Sequence, residues 1–224
     1  MNFFEQALRL IMPAQCVGCG DVLSSSESLC SNCTSKLKTS EHIEEYKLNI
    51  NGTPMLFMCK ACGVYTGVLR QNIHRFKFSG KTVHAKGFAA MLFESLRNSN
   101  LSYDMISYIP MTVQKQKVRG YNQSRLLAKE LSRLARIRLL PLLEKKCDTK
   151  AQHDLPRSER MKNLKGIFKA SEKSTGMRIL LVDDVLTTGA TMCECASELL
   201  KNGALEVYGI CVAYAKLESR KGGG

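Results

Sequence analysis

Tryptophan is absent, and seven tyrosines with eight phenylalanines are spread over 224 residues. A platform of interleaved rings for stacking nucleobases is therefore not evident. No stretch approaches the roughly 20 consecutive apolar residues of a membrane-spanning helix, which sets that class aside. No internal repeat is visible, so a solenoid or propeller is not expected. Acidic residues are few: 20 Asp and Glu stand against 33 Lys and Arg, a net charge of +13. That balance suits an anionic partner, whether nucleic acid, a membrane surface or a phosphorylated small molecule, and does not choose among them. An ordinary basic surface is the plainer alternative.

The N-terminal stretch MNFFEQALRLIMP has Phe3, Phe4, Leu8 and Ile11 at helical spacing, with Pro13 to end the helix. It lacks a basic leader and carries Glu5 and Arg9, so it makes a poor signal peptide. A cytoplasmic protein is expected, held at the inner face of the membrane only through partners.

Cysteine, by contrast, is plentiful. Six of the ten cysteines precede residue 63, and all six occur as C-x-x-C pairs. Without a secretory signal that pattern points to metal before disulfides. Cys16, Cys19, Cys30 and Cys33 form two knuckles separated by ten residues, most of them small and polar. Two thiolates on each tight turn can close a tetrahedral site around structural zinc. A redox pair is the competitor, but no strand-to-helix context supports it. The third pair, Cys59 and Cys62, sits in the apolar segment MLFMCKACGVY. It reads as buried free cysteine, with a share in the metal site as the alternative. Cys147, Cys193, Cys195 and Cys211 lack mutual ligand spacing and are expected to pack as small apolar residues.

From Tyr65 onward, TGVLRQNIHRFKFSG and VHAKGFAAMLFESLRN read as helices, apolar residues recurring three and four apart. His74 and His84 lie within them and read as surface histidines. YDMISYIP, residues 103–110, reads as a buried strand, followed by a polar, basic loop, MTVQKQKVRGYNQS. A helix is expected from about Gln123 to Arg136, and another strand over Pro141 to Lys146. The segment DTKAQHDLPRSERMKNLKGIFKAS is polar, basic and weakly periodic, a long excursion of the kind that is often functional.

The stretch RILLVDDVLTTGAT, residues 178–191, carries the most chemistry. Ile179 to Val182 has no polar alternation, as in a central parallel strand buried on both faces. The strand is expected to end at Asp183 and Asp184, at the carboxyl edge where ligands of such sheets bind. Thr187, Thr188, Gly189, Ala190 and Thr191 then lead into a helix of about Ala190 to Asn202. Their amides and hydroxyls suit a phosphate at a helix N-terminus. A ligand satisfying both features has a phosphate near vicinal hydroxyls, as in a ribose 5-phosphate, with magnesium. The plainer alternative is a helix cap beside two solvated carboxylates. A strand over Val207 to Tyr214 completes a β-loop-α-β unit, hence an α/β fold with a parallel sheet.

Residues 179–191 resemble the full signature of type I phosphoribosyltransferases. That resemblance implies binding of 5-phosphoribosyl 1-pyrophosphate (PRPP) with magnesium: Asp183 and Asp184 on the ribose hydroxyls, and Thr187, Thr188, Gly189, Ala190 and Thr191 on the 5-phosphate. YIPMTVQKQKVRGYNQS is similar to the I-P-x-P and R-G-F/Y-N-Q segment of the ComF/GntX (ComFC-type) competence family. Gln152, Leu155, Arg160, Asn163 and Phe168 match that family's next pattern, and the cysteine knuckles and the Tyr65-to-Lys77 segment also fit. Met111-Thr112 depart from the Val-Pro often found there. Arg119 and Arg160 match the pattern and are candidate cations for the leaving group. Lys115 and Lys117 follow a strand, where a pyrophosphate loop belongs, and Arg157, Lys162 and Lys165 lie on the excursion.

The expected organisation is a zinc module over residues 1–55, a phosphoribosyltransferase-like open parallel sheet flanked by helices over 56–218, and a frayed tail over 219–224. The resemblance implies support for the uptake of single-stranded DNA into the cytoplasm, with DNA and a DNA-uptake helicase as partners. An ordinary phosphoribosyltransferase acting on a base or amine, and a PRPP-sensing regulator without catalysis, are the alternatives. Turnover and the acceptor are left open.

Overall fold

The computed structural model describes residues 16, 17, 19–23, 29–33, 35, 41–78, 84–97, 99–146 and 166–215. The expected N-terminal helix, Cys147, Gln152, Leu155, Arg157, Arg160, Lys162, Asn163, Lys165 and the tail lie outside them.

The elements run β1 (His42–Ile50), β2 (Thr53–Ala61), α1 (Gly67–Phe78), α2 (His84–Arg97), β3 (Met105–Tyr108), α3 (Val113–Arg119) and α4 (Gln123–Ala135). Then come β4 (Arg138–Leu139), β5 (Leu143–Lys145), β6 (Phe168–Ala170), β7 (Arg178–Leu186), α5 (Ala190–Lys201) and β8 (Glu206–Tyr214). Six strands form one sheet in the order β1-β2-β8-β7-β3-β4; β5 and β6 make a separate antiparallel pair. Every neighbouring pair in the large sheet is parallel except β1 and β2. The expected parallel α/β sheet is therefore present, with an antiparallel hairpin added at one edge. None of the helices described is long and apolar enough to cross a membrane.

The hairpin is built by its turn. Asn51 and Gly52 both have positive φ, 51° and 91°, the backbone twist that joins two strands through two residues. Asn49 Oδ1 accepts from the Gly52 amide at 2.8 Å and closes the turn. The expected boundary between residues 55 and 56 falls inside β2, and β1 joins the sheet.

β7 sits between β8 and β3 and is buried on both faces. Ile179 and Leu181 point into one core with Phe57, Cys59, Leu199 and Cys211. Leu180 and Val182 point into the other, with Ile73, Phe76, Phe88, Leu92 and Leu127. An unbroken apolar run is what two-sided burial requires. The strand does not stop at the aspartates as expected; it continues to Leu186, because β8 still offers partners: Asp183 opposite Cys211, Val185 opposite Ala213, Leu186 opposite Tyr214. β3, however, pairs only as far as Tyr108 opposite Val182. Past that point one flank of β7 is uncovered, and the two aspartates stand there.

The segment read as a loop after β3 contains a helix, α3. Its seven residues bury nothing, so no apolar stripe betrays it. Its ends hold it instead: Thr112 Oγ1 accepts from the Lys115 amide, and Gly120 closes it in the left-handed region.

Gly209 of β8 tests how tightly the sheet is packed. A Cβ there would lie 2.7 Å from Cys59 Sγ and 3.0 Å from Phe57 Cζ. Gly209→Ala is expected to cost about 1–3 kcal/mol in urea unfolding, the usual penalty for overpacking. A midpoint equal to wild type would show that β2 can yield.

Candidate functional site

Asp183 and Asp184 are held in different ways. Asp183 Oδ1 accepts from Ser124 Oγ at 2.6 Å and from the Asp184 amide at 2.9 Å. Ser124 stands in the first turn of α4, which Asn122 caps: its side chain accepts from the Arg125 amide and donates to the Ile109 carbonyl just past β3. The cap thus fixes α4 to the end of β3 and aims the serine at the aspartate. Asp184 is buried, continues the face of Leu180 and Val182, and pairs with Lys77 Nζ at 2.9 Å. Burial first, and then the neighbouring Asp184 charge, push the Asp183 carboxyl up to about 7, against the opposing pull of Ser124 and Lys77.

The loop into α5 follows directly. Gly189, at φ 76°, is the N-cap of α5 and supplies no side-chain cap. Thr188 Oγ1 accepts from the Ala190 amide at 3.3 Å, and Thr187 is exposed. Thr191 lies in the first turn of the helix, so the loop presents hydroxyls and a helix N-terminus together. Gly189 is also required by contact: a Cβ there would collide with the hydroxyl and ring of Tyr46 from β1. The hairpin therefore lays a tyrosine against this loop. Carboxylate oxygens beside such a loop could accept from ribose hydroxyls and coordinate magnesium.

A basic cleft opens beside the dyad. Lys77, Phe78, Gln114, Lys115, Val118 and Arg119 line about 400 Å³. Arg119 lies over the Phe78 ring, 4.8 Å from its centroid, and donates to Gln123 Oε1 at 3.1 Å. Arg119 and Lys115 line this cleft, while Arg160 lies outside the described residues. Ser124 and Tyr46 were given no role from sequence, and Lys77 was named only as the end of the Tyr65-to-Lys77 family match. Ser124 was legible as a hydroxyl at the start of a helix that follows a strand; Lys77 and Tyr46 reach the site by distant contacts that no local pattern announces.

The four cysteines of the two knuckles come together. The Sγ atoms of Cys16, Cys19, Cys30 and Cys33 all lie within 4.8 Å of one another, and Cys19 and Cys30 are 3.6 Å apart. Tetrahedral zinc with bonds of about 2.3 Å needs sulfurs at about this separation, so the donor set fits that ion. The Cys30 amide donates to Cys16 Sγ and the Cys33 amide to Cys30 Sγ, as thiolate ligands require. This is a metal-binding module, and it rests on α1: Asn72 Nδ2 donates to the Val17 carbonyl at 3.1 Å, and Val17 and Leu29 join the core of Ile73 and Phe76. Cys59 and Cys62 take no part. They are fully buried and face opposite cores. Cys193, Cys195 and Cys211 are buried as expected.

Two measurements follow from this geometry. A carboxyl raised on folding binds its proton more tightly in the native state, so stability falls as pH rises from about 4 to about 7. Melting temperature should therefore decline across that window, and Asp183→Asn should flatten the decline; an unchanged slope would place the effect elsewhere. Metal analysis of the purified chain is expected to find about one zinc, lost in Cys30→Ser and kept in Cys59→Ser.

Residues 122–222 match the phosphoribosyl transferase domain family. "DNA utilization protein YhgH" of Escherichia coli is 34% identical over 154 residues, 66% of this chain and 68% of that protein. "Competence protein F" of Haemophilus influenzae is 28% identical and spans 95% of this chain and all of that one. "Competence protein ComFC" of Bacillus subtilis is 27% identical over 81% of this chain and 82% of its own length. Among solved structures, a glutamine PRPP amidotransferase from B. subtilis is similar at TM-score 0.41 and 20% identity, covering 58% of this chain and 26% of that one. An adenine phosphoribosyltransferase is similar at TM-score 0.39 and 15% identity, covering 82% and 89%. The chain belongs to the ComF/ComFC-type competence protein family and carries its phosphoribosyltransferase domain.

Proposed function

We propose that the protein binds PRPP with magnesium at the edge of β7 and acts in the uptake of single-stranded DNA into the cytoplasm. One observation carries the ligand: two adjacent carboxylates on the uncovered flank of a central strand run without interruption into a glycine-started helix. In this reading Asp183 and Asp184 accept from the ribose hydroxyls, and residues 187–191 take the 5-phosphate. The cations of the cleft face the diphosphate. Magnesium, when bound, would neutralise charge on the diphosphate and ribose oxygens. The protein's own share is orientation: Ser124 fixes Asp183, and the Asn122 cap holds Ser124 in place.

The DNA role rests on the family and on the relatives named for competence and DNA utilization. The net charge of +13 supports contact with a polyanion. Any such contact should weaken steeply with salt. Zinc in the cysteine module belongs to the same proposal, as a structural ion.

Calorimetry with PRPP and magnesium tests the reading. Wild type is expected to bind, and the Asp183→Asn/Asp184→Asn double variant, folded by circular dichroism, is expected to show no measurable heat. Equal binding by both would remove the aspartates from the site. Pyrophosphate release, followed with candidate bases and amines, then separates a transferase from a protein that only senses PRPP.

A further inference from the structure

The phosphoribosyl reading uses the aspartates, the loop and the cations after β3. It leaves one half-buried cation unexplained. Lys77 lies in the last turn of α1, far from β7 in sequence, yet its ammonium pairs with Asp184. The side chain is 20% exposed and that of its partner 11%, so this is no incidental surface pair. Burial alone would lower the lysine's pKa, but the charge and hydrogen bond of Asp184, with Asp183 behind, hold it above the ordinary value. The ammonium is therefore charged at neutral pH.

Its place is also built. Gln123 Nε2 donates to the Lys77 carbonyl at 3.3 Å, and the Tyr121 hydroxyl donates to the Phe76 carbonyl. Tyr121 lies in the turn between α3 and α4 and Gln123 opens α4, so the segment after β3 grips the end of α1. A helix C-terminus favours a cation. The ammonium has three donors, and one carboxylate oxygen engages one of them. Lys77 is also part of the cleft wall, with Lys115 and Arg119. It thus stands where the carboxylates end and the cationic cleft begins.

We propose that Lys77 binds the diphosphate end of the ligand, resting on Asp184 in the empty site and bridging Asp184 to the diphosphate when the ligand is present. This rests on the phosphoribosyl reading and extends it. Lys77 meets one oxygen of the Asp184 carboxylate, whose remaining lone pairs can accept from a ribose hydroxyl. The same ammonium then recognises whether the sugar carries an anionic leaving group. Lys77 would make the site prefer PRPP to ribose 5-phosphate, which shares the sugar and the 5-phosphate but has no diphosphate.

The test compares those two compounds, with magnesium present throughout, by calorimetry on wild type and Lys77→Met. A structural role for Lys77 would weaken both ligands alike; a diphosphate contact would not. Lys77→Met is expected to weaken PRPP about tenfold or more, as for loss of a charge-assisted hydrogen bond, and ribose 5-phosphate less than about threefold. Should that variant not fold, Lys77→Gln, which can still donate to Asp184, carries the same comparison. An unchanged ratio of the two affinities overturns the role of Lys77 while leaving the site reading intact. Failure of wild type to bind either compound overturns both.

Discussion

Two carboxylates on neighbouring residues of a central strand cannot both be left charged and unattended in a low-dielectric interior. Much of the architecture around β7 answers that constraint. β3 stops at Tyr108, which uncovers one flank. α4 begins where its second residue, Ser124, can donate to Asp183. α1 ends where Lys77 can pair with Asp184. Tyr121 of the turn before α4 and Gln123 at the start of α4 tie these parts together by donating to the last carbonyls of α1. Each arrangement would be costly without the others. A lone Asp184 would be a buried charge, and a lone Lys77 would be a half-buried ammonium with no counter-ion. The asymmetry between the aspartates follows: one has a hydroxyl and an amide for company, the other a full positive charge.

The strand and its loop were legible because their signal is local. Four apolar residues in a row describe burial on both faces, and the step from aspartates to threonine, glycine and alanine describes a strand edge meeting a helix. The cysteine knuckles were legible for the same reason, since their spacing alone brings four sulfurs within reach. The hairpin of β1 and β2 was equally local, an Asn-Gly turn between alternating runs, but β1 was not read from it. α3 was illegible on physical grounds. It has no buried face, so hydrophobic periodicity has nothing to report, and its helix depends on Thr112 and Gly120 at its ends. Lys77 closes the Tyr65-to-Lys77 match, but its role was illegible because that role is a contact between α1 and β7. A lysine at the end of a helix looks the same whether it faces solvent or a buried carboxylate.

The edges of the site come from parts of the chain outside the phosphoribosyl transferase match, which begins at residue 122. Tyr46 reaches the loop from β1, where its hydroxyl and ring lie so close to Gly189 that no side chain could be added. Lys77 arrives from α1, and Phe78 beside it carries Arg119 on its face. The matched domain thus supplies the carboxylates and the loop, while the preceding residues supply a wall against the loop and a cation beside the carboxylates. These added residues are where the site can differ from others built on the same signature.

The cysteine module belongs to this same argument through α1. It is too small to own a core, so it borrows one: Val17 and Leu29 pack with Ile73 and Phe76, and Asn72 donates to the Val17 carbonyl. Asn72 is almost fully buried, and a buried amide group left without its acceptor would be destabilising. The metal centre therefore braces the middle of α1, and the turn after α3 braces its end. Between them α1 has little freedom to slide or rotate. Lys77 needs that restraint, because a long side chain meets a carboxylate reliably only when its backbone is fixed. The module is thus linked to the aspartates through α1. By holding the helix, it holds the cation.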